Sequence, residues 1–332
     1  MKKFISSLAF LSLALCAAAQ VPSGEGRRWA VVDLSVNFMR EAPDYTAELG
    51  DQALMGTVVE IVGEEGYWRQ TVSPDPYKAW VTELGLVEMP EQRVNEYISS
   101  PKYICTANYS RVYAEPSFKS GQVSDLVMGD LLLQVTGKRG KAVRKGRFLA
   151  CALPSGRTGW VAEADVEDFA AWAASRELTG QNIVSTAMKF LGVPYMWGGT
   201  SIKEADCSGL ARCVYLMNGL LLPRNASQQA RTGVEVPLDA LEPGDLLFFG
   251  TPADGDKPER YNHVGIYIGG SRFIHASHLV RISSLDPEQA DHYERKPLRA
   301  RRIIGHGSGA GVTSLTDSPF YFIQPKLVLK MP

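Results

Sequence analysis

The sequence predicts an α+β chain: two small β-barrels in tandem, then a larger unit in which helices come first and strands after. Three observations carry that expectation. An internal repeat of short β-rich runs fills the first half of the chain, and a helix-first order fills the second. The composition, 45% hydrophobic and 21% charged over 332 residues, is globular and allows two or three domains.

The opening "MKKFISSLAFLSLALCAAAQ" has two lysines, an apolar run from Phe4 to Leu15 and the small residues Ala17-Ala18-Ala19. That order describes a secretory leader, residues 1–19, with cleavage before Gln20. Its apolar run is too short to span a bilayer, and no later stretch is long and apolar enough to do so. The expected location is therefore periplasmic or secreted. Lipidation at Cys16 is the rival reading, disfavoured by the bulky Leu15 before it. A formal net charge of −1 offers no global basic field for nucleic acid.

In the repeat, "MREAP" at Met39 corresponds to "VYAEP" at Val112, and "ALMGTVVEIV" at Ala53 to "LVMGDLLLQV" at Leu126. "AWVTELGLVE" from Ala79 then matches "GWVAEADVED" from Gly159, the extra residues falling in the polar loop "GKRGKAVRKGR". Each copy holds short β-rich runs broken by Gly, Pro and Asp, the pattern of a small barrel, at about 28–90 and 101–168. The loop's run of cations reads as a solvated hairpin tip. "EMPEQRVNEYISSP" reads as a charged connector between the copies.

Beyond the repeat, a helix is expected over about 181–191, then the Gly-rich turn "VPYMWGGT". A second helix starts at Cys207, because Leu210, Cys213, Val214 and Met217 recur at i, i+3, i+4 and i+7. "GDLLFFG", "HVGIYIGG" and "RFIHAS" follow as strands. The final "SPFYFIQPKLVLKMP" alternates enough for one edge strand.

Four cysteines remain after the leader, too few for a disulfide framework. Cys105 and Cys151 read as buried free thiols, with a bridge between them as the alternative. Cys207 and Cys213 are too far around one helix to bridge. Cys207 stands in a first turn, where unpaired N–H groups and the helix dipole lower a thiol's pKa.

Two histidines suit such a thiol. His263 and His275 flank a hairpin turning at Gly269-Gly270. A two-residue loop places their rings on opposite faces, whereas an odd loop or a bulge places them on one. On one face they give a nucleophile, a base and a group that orients the base. A zinc site from the same three residues is the competing reading. Short ligand spacing and an H-E-x-x-H carboxylate are both missing, so no metal is expected.

"YMWGG", "DCSGL", "LPRNASQQ", "PGDLLFF" and "HVGIYIGGSRFIHAS", in this order, resemble the NlpC/P60 cysteine peptidases over about residues 180–305. The two repeat copies resemble bacterial SH3-like domains. The combination resembles the γ-D-glutamyl-L-diamino acid endopeptidases.

The resemblance implies a papain-like catalytic domain at 175–310, followed by an extension at 311–332. It implies Cys207 as nucleophile, His263 as base and His275 as third polar member. Glu48 and Tyr77, from the first repeat copy, match the acidic and tyrosine residues that hold a substrate's free amine, with Glu41 the rival for Glu48. Asp206, Ser208 and Ser227 match positions lining the same pocket. The implied substrates and partners are peptidoglycan-derived peptides beginning with L-Ala-γ-D-Glu, cut by a monomer with no cofactor. A hydrolase of intact glycan-linked stems, a non-catalytic wall-binding protein and, more remotely, an acyltransferase are the other readings.

Overall fold

Residues 26–306, 309 and 311–323 are described by the computed structural model. The expected leader, Cys16 and residues 324–332 lie outside them. The repeat is visible strand by strand. In the first copy the antiparallel sheet runs Leu49–Leu54, Val36–Arg40, Lys78–Thr82, Trp68–Val72, Val58–Glu65, Arg28–Val32 and Leu86–Met89. In the second, the equivalent order is Gln122–Val127, Tyr109–Tyr113, Thr158–Ala162, Phe148–Ala152, Leu131–Gln134, Lys102–Cys105 and Val166–Asp168. The strand Arg144–Lys145 adds beside Phe148–Ala152. Among the described residues both ladders are open paths, with no pairing between first and last strand.

The charged connector between the copies contains a helix, Glu91–Ser99. Val94, Tyr97 and Ile98 share one face and pack on Trp29, Val31 and Val58 of the first sheet. That i, i+3, i+4 spacing is the signal the charges obscured. Cys105 and Cys151 are both buried and unbridged within the second copy's core.

The second half begins with the short helix Phe169–Ala174 and the helix Gly180–Met188, which ends one turn before the expected Leu191. Then come Cys207–Leu216 and the antiparallel order Val234–Val236, Arg299–Arg302, Leu246–Thr251, Arg260–Gly269, Arg272–Ser277, Leu279–Ser284. Leu210, Val214 and Met217 join Ile183, Ala187, Val264, Ile266 and Ile274 in one core, so the Cys207 helix lies across the central strands. Burying such side chains stabilises the packing by roughly 1.5–3 kcal/mol each.

The expected C-terminal edge strand does not form within the described part: Ser318–Ile323 is turn and coil. Aromatic contacts replace ladder bonds there. Phe322 stacks on Phe169 with centroids 4.9 Å apart, and Phe320 meets the edge of Trp29 at 6.0 Å.

Candidate active site

Cys207 is the first residue of its helix, and Asp206 is the N-cap. The Asp206 carboxylate accepts from Gly209 N at 2.7 Å and from the Ser208 hydroxyl at 3.0 Å. Its other oxygen accepts from Gly198 N at 3.0 Å, tying the helix start to the "YMWGG" turn. Gly209 is required by closeness: a Cβ there would sit 1.9 Å from the Gly199 carbonyl oxygen. The run Asp-Cys-Ser-Gly thus caps a helix, presents a thiol and lets the neighbouring turn approach.

The hairpin answers the parity question with a bulge. Ile266 faces Ile274 and Tyr267 faces Phe273, but Gly269 faces Arg272, so Ile268 is extra. The two-residue tip is Gly270-Ser271, one place beyond the expected Gly269-Gly270, with φ of 58° at both residues. This is the left-handed pair that a tight right-twisted hairpin needs. His263 and His275 consequently share a face, and His263 Nε2 lies 2.7 Å from His275 Nδ1. His275 Nε2 lies 3.1 Å from the Ser283 hydroxyl oxygen.

Two proton arrangements satisfy these contacts, because donor and acceptor depend on the tautomer of each ring. With His263 Nε2–H donating to His275 Nδ1, and His275 Nε2–H donating to Ser283 Oγ, the lone pair of His263 stands on Nδ1. In that arrangement Nδ1 is the nitrogen free to accept a proton. Phe249, Phe273 and Tyr293 wall the two imidazoles in, with ring centroids 4.7–5.7 Å away.

The thiol does not have the lowered pKa expected of a first-turn cysteine. Burial pushes it up to about 11, the Asp206 carboxylate adds to this, and the N–H groups of Val264 and Ser208 only partly oppose it. Desolvation outweighs the helix terminus. Burial likewise lowers His263 to about 4, with Arg295 adding, and lowers His275 to about 3, with His263 and Arg281 adding. Near pH 7 the thiol and both imidazoles are therefore neutral at rest.

A pH dependence of stability follows. An unfolded imidazole titrates near 6.5 and the folded ones lower, so below pH 6.5 the unfolded chain binds more protons. The stability from keeping the rings neutral is complete above pH 6.5 and is lost as pH falls through 4. Urea midpoints measured from pH 7 to pH 4 should fall, and His275→Gln should flatten that slope.

The residues expected in the pocket divide by environment. Asp206 and Ser208 are buried, whereas Ser227 is exposed on the short helix Ala226–Gln229. Tyr77 lies over the strand Leu49–Leu54: a Cβ on Gly50 would be 2.2 Å from its hydroxyl oxygen and 3.5 Å from Glu41 Cγ. Glu48 is exposed, and its carbonyl accepts from Glu41 N at 3.0 Å. Tyr77 and Glu41 thus share a patch, with Glu48 one hairpin position away.

Three residues that sequence reasoning passed over join the first sheet to the site. Arg224 donates from Nη1 to the Ser208 hydroxyl at 2.8 Å and to Asp206 at 3.2 Å, and from Nη2 to the other Asp206 oxygen. Arg224 Nε lies 2.9 Å from Asp51 Oδ1. Asp51 also accepts from Arg212 on the Cys207 helix, at 2.7 and 2.8 Å. Arg224 stood in the run "LPRNASQQ", but nothing in sequence marks an arginine as buried.

Residues 192–301 match the NlpC/P60 family. An NlpC/P60 domain therefore lies within this stretch of the chain. Related sequences extend the likeness past that domain. Dipeptidyl-peptidase 6 of Lysinibacillus sphaericus is 28% identical over 264 residues, 78% of this chain and 92% of the relative. The γ-D-glutamyl-L-lysine dipeptidyl-peptidase of Bacillus cereus is 29% identical over 267 residues, 77% and 76% of the two chains. In structure, an NlpC/P60 family protein from Bacillus cereus superposes with a TM-score of 0.69 at 24% identity. It covers 83% of this chain and 99% of its own, so the two share a fold across both halves. Among the described residues no helix is long and apolar enough to cross a membrane.

Proposed function

We propose that this chain is a cysteine peptidase that cuts the γ-D-glutamyl–diamino acid bond of short cell-wall peptides, releasing L-Ala-γ-D-Glu. The observation that carries the reading is the first-turn Cys207 with the one-sided His263–His275–Ser283 chain, set beside a wall built from the first sheet. Two relatives named γ-D-glutamyl-L-lysine dipeptidyl-peptidases support the same bond.

In the proposed reaction, His263 Nδ1 takes the thiol proton as sulfur attacks the γ-carbonyl carbon. Proton and electron pair move together because neither group is charged at rest. The tetrahedral oxyanion is held by N–H groups at the helix start. It collapses to a thioester as His263 returns the proton to the leaving amine, and water then releases the dipeptide by the same base.

The seven-stranded and eight-stranded sheets are read as SH3-like units, the second half as papain-like, and residues 1–19 as an export leader for a periplasmic or secreted monomer. Asp206, Ser208 and Ser227 line the acyl side. Tyr77, with Glu41 or Glu48 from the same loop, holds the substrate's free amine and blocks the cleft two residues from the thiol, which limits cutting to the second peptide bond.

Charged hydrogen bonds of this kind are worth about 1.5–3 kcal/mol, or roughly tenfold to a hundredfold in binding. Glu41→Gln and Tyr77→Phe should therefore raise KM for L-Ala-γ-D-Glu-L-Lys with kcat little changed, and Glu48→Gln should have the smaller effect. Three unchanged KM values would remove the amine wall from the account.

A further inference from the structure

We infer that Asp51, a residue of the first sheet, is a positioning residue for the Cys207 thiol. Asp51 is 1% exposed and Arg224 2% exposed. The Asp51 carboxylate accepts from Arg212 Nη1, accepts the Thr200 hydroxyl at 2.7 Å, and lies 2.9 Å from Arg224 Nε. Arg224 turns the other side of its guanidinium to Asp206 and Ser208, the two neighbours of Cys207 in sequence. One carboxylate of the first sheet therefore grips the thiol helix twice, at its first turn through Arg224 and in its middle through Arg212.

The chain of contacts continues outward. Arg212 Nη2 also meets Asp75 Oδ1 at 2.9 Å, again from the first sheet's unit. Asp75 has no contact with Arg224 among those described, so the two carboxylates separate a general tie between halves from a specific hold on the thiol. The charges that face Cys207 are Asp206 and Arg224. Without Asp51, Arg224 keeps one carboxylate instead of two, its positive field at the sulfur grows, and the cap it braces is free to shift.

The inference rests on the peptidase reading only where turnover is measured. The closing experiment therefore reads the thiol first without substrate, as the pH dependence of iodoacetamide alkylation at Cys207, with Cys207→Ala as the blank. Asp51→Asn should move the alkylation midpoint to lower pH by about one unit. A displaced nucleophile should also lower kcat for L-Ala-γ-D-Glu-L-Lys by about 100-fold, with KM near the wild-type value.

Asp75→Asn should lower thermal stability yet leave both readouts at wild-type values. Should Asp51→Asn fail to fold, Thr200→Val keeps the Asp51 charge but removes one of the bonds that place it, and should lower kcat by less than the 100-fold above, with KM near the wild-type value. A wild-type midpoint in Asp51→Asn, or a wild-type kcat in Thr200→Val where that variant is used, overturns the inference. So does an equal shift in Asp75→Asn. A wild-type protein that alkylates normally but cleaves no peptide refutes the peptidase reading and leaves the thiol comparison standing.

Discussion

Cys207→Ala should release no measurable L-Ala-γ-D-Glu from a free-amine peptide, a loss on the order of a millionfold in kcat. The size follows from what the sulfur does. In the proposed reaction it is the atom that bonds to the carbonyl carbon, and Ser208 at the helix start cannot replace it, being committed to Asp206 and Arg224. The variant should fold normally, because alanine suits a first helical turn and the cap bonds come from Asp206. His263→Ala should lose nearly as much, since a thiol held near a pKa of about 11 has almost no thiolate at pH 7 without a base. Product release measured by mass spectrometry, beside circular dichroism of each variant, checks both statements. Substantial turnover by Cys207→Ala would assign the chemistry to another residue.

Arg224→Met should cost about 3–5 kcal/mol of stability, because it removes one partner of a buried ion pair and leaves two carboxylates without it. Asp206 keeps Gly198 N, Ser208 Oγ and Gly209 N, but Asp51 and Asp206 lose the charge between them. For a chain of this size the change is a melting temperature lower by about 4–7 °C. The same substitution should abolish most activity, since Ser208 and Asp206 then lack the guanidinium that fixes them beside the thiol. Thermal unfolding followed at pH 7 measures the first effect. A melting temperature within a degree or two of wild type would mean that the buried charges are not coupled as their distances indicate.

The catalytic half was legible because its chemistry is local. Asp206 to Gly209 announce a capped helix, and the parity argument for His263 and His275 reduced to one question about a loop, answered by the bulge at Ile268. The repeat was legible because both copies keep one strand order, even with the added strand Arg144–Lys145 in the second.

What stayed hidden depends on contacts between distant segments. Asp51 and Asp206 are 155 positions apart by their numbering and meet only through Arg224. The pKa of Cys207 was misjudged for the same reason: the helix terminus is visible in sequence, whereas the burial that overrides it is not. The helix Glu91–Ser99 was obscured by its charges, and Phe320 and Phe322 pack through aromatic rings where alternation suggested a strand.

The central claim is that this NlpC/P60 domain, working against the first sheet, removes a dipeptide from peptides whose amine is free. Mass spectrometry of L-Ala-γ-D-Glu-meso-diaminopimelate, and of the same peptide acetylated at its N-terminus, tests it most directly. The account predicts L-Ala-γ-D-Glu from the free peptide and at least about tenfold slower cleavage of the acetylated one. Equal rates on the two peptides, or no cleavage of either, would contradict it.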